Sequence, residues 1–520
     1  MYRRDFLQTM AAAPLLSAPA ITPLLSFAQQ QAETPQAQSS HQRDFFYRPN
    51  NAWAADFIPF YAKGKYQLFY LLDWRNHSKF GEGTPWFLIS TTDFVNFAEH
   101  GEVLPRGTKE QQDLYVFTGS VIEGRGQYHI FYTGHNPHFR KQGKPEQGVM
   151  HAVSDDLLKW KKIPEHTFFA PPDKYEPHDW RDPFVFWNED AGEYWMLLAA
   201  RFKTGIPRRR GLTALCASKD LIRWDVREPF YAPNLYFTHE CPDLFKIGDW
   251  WYLVFSEFTD LVQTRYRMSR ALKGPWLTPR RDSFDARAFY AAKTASDGRR
   301  RFVFGWDPSR EESKDYHRWN WGGNLVVHEV HQGKDGELYV TVPDAVDQAF
   351  SKQARFNLDS KVGDVRVSDN EIQVNAHGSF AAAAAGLMPD RCKIETTIHF
   401  EPNTRGCGLM LRASDDLDSV YYVRLEPQNN RLVFDSWPRG THHPITSADG
   451  PFMLDLERQL ELNPNQPVEL KVFVDGTVCV TYAAGKVAMS TRLYNLPKGK
   501  WGVFVNEGSA RFRDLKLTTT

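Results

Sequence analysis

Three acidic residues recur at nearly the same place in a repeating text. Asp56 lies in Trp53-Ala-Ala-Asp56-Phe-Ile-Pro59, Asp182 in Trp180-Arg181-Asp182-Pro183, and Glu240 in His239-Glu240-Cys241-Pro242-Asp243. The prolines beside them rule out a helix interior, so these acids belong at turns or strand edges with their side chains free to project. Singly, each reads as a turn cap or a surface acid. Together they form a reactive set, because carboxylates sharing one hollow repel each other and at least one should hold its proton above the ordinary carboxylate range. A protonated acid facing an ionised carboxylate is the apparatus for cleaving a glycosidic bond: one group protonates the leaving oxygen, and the other attacks the anomeric carbon or activates water.

The elements that must position these acids repeat with a step of about sixty residues. Apolar, aromatic runs begin at Tyr66, Tyr128, Tyr194 and Trp251, each after a glycine-containing turn, and such runs read as strands. A second motif keeps the step, with aspartates at 93, 156 and 220 ahead of Phe97, Trp160 and Trp224. Arg301-Phe-Val-Phe-Gly305-Trp306 supplies the matching strand of a fifth unit. Five strand-only repeats predict a five-bladed β-propeller over residues 45–342. From 356 to 520 the runs alternate with a period of two, as in Val468-Glu-Leu-Lys-Val-Phe-Val-Asp475, which predicts a β-sandwich. Residues 343–355 read as a linker. The fold class expected is therefore all-β.

In a propeller the innermost strands line one central funnel. The segments leading into the glycine turns place Asp56, Gly119, Asp182 and Glu240 at steps of 63, 63 and 58. That spacing puts a carboxylate from three blades at one level, with the hydroxyls of Thr118 and Ser120 from the fourth. Trp53, Trp74, Trp180, Tyr290 and Trp306 are expected around the rim, stacking on sugar faces.

The motifs resemble those of glycoside hydrolase family 32, which holds invertases, inulinases, levanases and fructan-processing transferases. Arg181-Asp182-Pro183 and Glu240-Cys241-Pro242-Asp243 resemble its Arg-Asp-Pro and Glu-Cys-Pro-Asp motifs, and Phe117-Thr118-Gly119-Ser120 its Phe-Ser-Gly-Ser. Asp285-Ala-Arg-Ala-Phe-Tyr290-Ala-Ala-Lys293-Thr, Gly305-Trp306, Trp321-Gly-Gly-Asn-Leu and Val472-Phe-Val-Asp475-Gly-Thr-Val are similar to further stretches of that family. The resemblance implies a retaining double displacement. Asp56 would be the nucleophile, Glu240 the general acid and then base, and Asp182 the holder of furanose hydroxyls, with Arg181 among the substrate-binding groups. Retention calls for nucleophile and acid carboxyls about 5–5.5 Å apart.

The sequence also departs from that pattern. The family's Trp-Met-Asn-Asp-Pro-Asn-Gly is here Trp53-Ala-Ala-Asp56-Phe-Ile-Pro59, the glutamine usual after the next strand is missing at Leu71-Leu-Asp-Trp74, and His239 replaces a tryptophan. The contacts around the sugar have been rebuilt. Four readings stand: a fructan hydrolase, a fructotransferase releasing a difructose anhydride, a glycosidase on another furanoside such as an arabinofuranoside, and a sugar-binding propeller without catalysis.

Composition argues against nucleic acid as a partner and leaves the carbohydrate that the acids and the resemblance imply. Lys+Arg and Asp+Glu are equal at 63 each, so no basic face for nucleic acid is implied. The five cysteines have no metal-ligand spacing, and His239-Glu240 lacks the second histidine of a zinc protease motif, so neither metal nor cofactor is expected. Arg3-Arg4-Asp5-Phe6-Leu7 before an Ala/Leu-rich run reads as a twin-arginine export signal over 1–28. A polar spacer follows over 29–44, and no later run is long enough to span a membrane. The expected location is periplasmic or secreted.

Overall fold

A computed structural model describes residues 44–438 and 456–520. The expected export signal lies outside the described residues, as does the spacer apart from Asp44. The described residues are almost entirely β-structure.

Five blades follow one another around a common axis. Their innermost strands are Trp53–Ala62, Tyr115–Gly124, Tyr175–Asn188, Glu240–Ile247 and Tyr290–Ser296. Each pairs antiparallel with the next strand of its blade, and each hairpin turns on a glycine in the left-handed region: Gly64, Gly126, Gly192, Gly248 and Gly298, with φ between +54° and +89°. Those are the glycine turns of the repeat. The aspartate motif has its own geometry. Asp93, Asp156 and Asp220 each accept two backbone N–H groups from residues two and three positions on, closing the turn between third and fourth strands. Asp220 is thereby pulled down to about 2, chiefly by the N–H of Arg223. The outer strand of blade four shrinks to isolated bridges, Met268 with Leu277 and Arg265 with Ser283.

The ring closes where blade five meets blade one. Ala54 pairs with Gly323, and at Gly322 beside it, with φ at +76°, a Cβ would lie 2.9 Å from the carbonyl oxygen of Ala54, so glycine lets the two strands approach closely.

The segment expected as a linker contains a short helix, Asp344–Ala349, and a two-residue strand that pairs with the chain's last strand. Beyond it, two long strands, Glu371–Leu387 and Lys500–Thr519, run side by side through both layers of a β-sandwich. Ile394, Leu409, Val423, Val472 and Val503 fill its core. The Ala381–Ala385 run lies on the first of these strands and alternates: Ala381, Ala383 and Ala385 face the core, while Ala382 and Ala384 face the opposite side.

Sandwich and propeller are joined by buried polar contacts. Asp285 accepts from the Ser490 N–H (2.8 Å) and Oγ (2.5 Å) and pairs with His328 (2.9 Å), which also meets the Tyr482 hydroxyl. Arg492 pairs with Asp307 at 2.7 Å. Because such groups are costly to bury unpaired, the two parts are held in one arrangement.

Candidate active site

Every innermost strand carries a β-bulge at the same place. Register with the neighbouring strand slips at Ala55/Ile58, Phe117/Gly119, Glu240/Asp243 and Tyr290/Lys293, and, in blade three, between the residues opposite Arg181 and Phe184. The first residue of the bulge is Asp56, Thr118, Asp182, Cys241 and Ala291. Four of these have left-handed backbone, with φ of 42°, 56°, 51° and 51° for Asp56, Asp182, Cys241 and Ala291. A non-glycine residue there is strained, and bulges next to a site re-aim side chains.

This register corrects the expected alignment of the acids. Asp56 and Asp182 are equivalent, but their partner in blade two is Thr118 rather than Gly119, and in blade four it is Cys241. Glu240 lies one residue earlier, at the position of Arg181 and Tyr290. The acids therefore occupy two tiers, not one level.

Contacts follow the tiers. In the earlier one, Arg181 donates to Glu240 Oε1 at 3.0 Å and the Tyr290 hydroxyl donates to Oε2 at 2.6 Å. In the bulge tier, the Thr118 hydroxyl donates to Asp56 Oδ2 at 2.5 Å, and the Cys241 N–H donates to Asp182 Oδ2 at 3.0 Å. Trp306, paired in register with Tyr290, links the tiers by donating its indole N–H to Asp56 Oδ1 at 3.2 Å. Thr133 completes the circuit: its hydroxyl accepts from the Asp182 N–H and donates to the Thr118 carbonyl.

All three acids are buried, at 1%, 0% and 1% exposure for Asp56, Asp182 and Glu240. Burial works against the charge of Arg181, but Glu240, Asp179 and Asp182 around it more than compensate and hold the guanidinium firmly protonated. Burial also pushes the Cys241 thiol well up, with Asp182, Asp56 and Glu240 adding to the effect, so it stays neutral. Lys293 is lowered by burial against the pull of Asp243, and donates to the Pro242 carbonyl at 2.6 Å. Arg181 meets Asp179, Glu240 and Asp182 at 2.8, 3.0 and 3.7 Å, and Lys293 acts on Asp182 and Asp56, so the carboxyls outnumber these two cations, an excess of negative charge that favours keeping a proton in the set.

Other expected site residues fall elsewhere. Trp180 is fully buried against Phe168 and Tyr175, so it packs blade three and cannot stack on a ligand. The Ser120 hydroxyl accepts the Val185 N–H at 3.0 Å and ties blade two to blade three. Trp53 lies under the guanidiniums of Arg48 and Arg75, and Trp74 stacks on Phe80 with Arg106 over its ring. Tyr290 and Trp306 are buried and act through their polar tips. His239 packs on Phe255 and is pushed down to about 3 by burial, hence neutral. Sequence reasoning missed Thr133, Asp179 and Cys241. Cys241 was legible as the residue inside the Glu-Cys-Pro-Asp motif; the other two carry no local signal.

Two family models match almost the whole described chain: the glycosyl hydrolases family 32 N-terminal domain over residues 46–341 and the family 32 C-terminal model over residues 358–519. The chain is similar to an insoluble isoenzyme of β-fructofuranosidase from Arabidopsis thaliana, 21% identical over 89% of this chain and 86% of that one. It is also 21% identical to a levanbiose-producing levanase from Bacillus subtilis, over 88% and 87% of the two chains. Among solved structures, fructan 1-exohydrolase IIa from Cichorium intybus superposes with a TM-score of 0.66 at 16% identity, covering 92% of this chain and 98% of that one. The exo-inulinase from Aspergillus awamori gives 0.67 at 15% identity, with the same coverage.

Proposed function

The chain belongs to glycoside hydrolase family 32 and is a glycoside hydrolase of the β-fructosidase type, and from that premise we propose that it cleaves β-fructofuranosides of fructans or fructooligosaccharides by a retaining double displacement. The observation that carries this reading is the pair of tiers. Asp56 sits under two donors, Thr118 and Trp306, which favour its ionised form and aim it as a nucleophile. Glu240 is buried between Arg181 and Tyr290, donors that by the same rule favour its ionised form, so the proton it gives is held against them by burial and by the charges of Asp56 and Asp182 nearby. There it donates a proton to the leaving oxygen and later accepts one from water.

Asp182 has one oxygen on the Cys241 amide and is placed to take ring hydroxyls, whose hydrogen bonds tighten as positive charge develops on the sugar. Water or a sugar hydroxyl then displaces the fructosyl group from Asp56. The bonds balance: the glycosidic C–O bond breaks as the Asp56 ester forms, and that ester breaks as the acceptor oxygen bonds to the anomeric carbon.

The test is product analysis of the purified chain on levan, inulin and sucrose by chromatography with mass detection. Free fructose or short fructooligosaccharides are expected, and lost in Asp56→Ala. No turnover of any fructan, with arabinan cleaved instead, would overturn the substrate assignment.

A further inference from the structure

A second cleft lies on the sandwich, on the face of the sheet that points away from its core. Its volume is about 730 Å³. Three adjoining strands contribute one register row to its lining: Gly406 on one, Asn506 on the next and Phe380 on the third. The walls are formed by Tyr422, Phe380 and Trp437.

Two features specify an occupant. Trp437 leaves 51% of its surface exposed beside the buried Tyr422, giving a flat apolar face of the size of a sugar ring. Around it stand paired planar polar groups: Arg424 against Glu426 (2.9 Å) and Asp435 (3.1 Å), and Arg405 against Glu507 (3.0 Å). Fixed guanidinium and carboxylate edges offer donors and acceptors together, which suits vicinal hydroxyls. Four carboxylates (Asp416, Asp418, Glu426, Glu507) line the cleft against two guanidiniums, so a phosphorylated or uronic chain is repelled.

Position adds a third argument. In each blade the loop after the second strand lies at the same end as the bulge tiers, and in blade five that loop holds Asp315 and Tyr316. Tyr316 meets Ser436 and Asp315 meets Tyr421, side chains that alternate along their strands with those of Trp437 and Tyr422, so the cleft lies across the same sheet edge from the rim of the funnel mouth.

We propose that this cleft is a non-catalytic binding site for an uncharged polysaccharide, holding a distal stretch of the same polymer whose end enters the propeller. Binding of a neutral polysaccharide stands on the cleft alone, whereas its being a fructan rests on the function proposed above.

The experiment is affinity electrophoresis of the full chain in gels containing levan, inulin or arabinan, in an Asp56→Ala background so that the polymer is not digested. Trp437→Ala and, separately, Arg405→Glu are expected to weaken retention by one of these polymers about tenfold. In otherwise wild-type chain, Trp437→Ala should leave kcat and KM on a short fructooligosaccharide unchanged while KM on the polymer rises. A melting temperature equal to the parent's shows that the variant is folded. Equal retention of parent and both variants on all three polymers would overturn the proposal. Polymer retention lost with Trp437, in a chain whose wild type cleaves no fructan, would sink the substrate assignment and leave this site standing.

Discussion

The funnel and the sandwich cleft use the same kinds of residue to opposite ends. Both set carboxylates beside arginine and an aromatic ring. In the funnel the acids are at most 1% exposed, and each is fixed by a group from another blade. In the cleft, Arg424, Glu426 and Asp435 are buried too, but the Arg405–Glu507 pair is more than half exposed and the tryptophan stands open to solvent. Buried, crowded carboxyls act on charge, because dry surroundings magnify every interaction. Exposed pairs are screened and worth little singly, so they suit repeated weak contacts along a polymer. The difference lies in desolvation, not composition.

The sharpest way to break that contrast is to remove a buried acid. Asp56→Ala should lower kcat by about 10⁴-fold or more, read with a short fructooligosaccharide. A fall below tenfold would mean that Asp56 is not the nucleophile. Glu240→Gln should cost about 10²–10⁴-fold, and much less on an aryl fructoside whose leaving group needs no proton. Equal losses on both substrates would deny Glu240 the role of acid.

Milder changes separate the two tiers. Tyr290→Phe removes a donor from Glu240, so its proton is held more tightly and the alkaline limb of the kcat/KM profile should move to higher pH. Trp306→Phe removes a donor from Asp56 and should move the acidic limb upward instead. If both variants shift the same limb, the assignment of nucleophile and acid is wrong.

The smallest effect lies outside the site. His151, stacked between His129 and His166 in blade two, is pushed down to about 3 by burial, with those two histidines adding to it. An unfolded chain takes up that proton first, at an ordinary pKa of about 6.5. The stability tied to neutral His151 is therefore present above that pH and drains away as pH falls toward 3. His151→Gln should flatten the drop in melting temperature between pH 7 and pH 4, with activity at pH 7 unchanged.

What the sequence revealed, and what it hid, divides along physical lines. The blades were legible because their hairpins need glycine with positive φ and their outer turns need an aspartate to cap them, and both demands leave residues at fixed steps. Asp56, Asp182 and Glu240 were legible for the same reason. Their true phase was not, because the connections between blades differ in length, and a count along the chain does not show which residue of each inner strand opens its bulge. A count of 63, 63 and 58 therefore set Glu240 level with Asp182, whereas the register sets it level with Arg181. Trp180 and Ser120 lie next to site residues in sequence but point into packing between blades, a direction that spacing does not encode. The alanine run read as featureless because its meaning lies in what neighbouring strands place beside it.

The central claim is that Asp56 carries the fructosyl group on the path from substrate to product. The most direct test is the stereochemistry of methanolysis: react the chain with a fructooligosaccharide in dilute methanol and identify the methyl fructofuranoside by NMR before it is degraded. Two displacements, the first by Asp56, predict the β-anomer. The α-anomer would mean a single displacement by an activated water or alcohol, and would contradict the account.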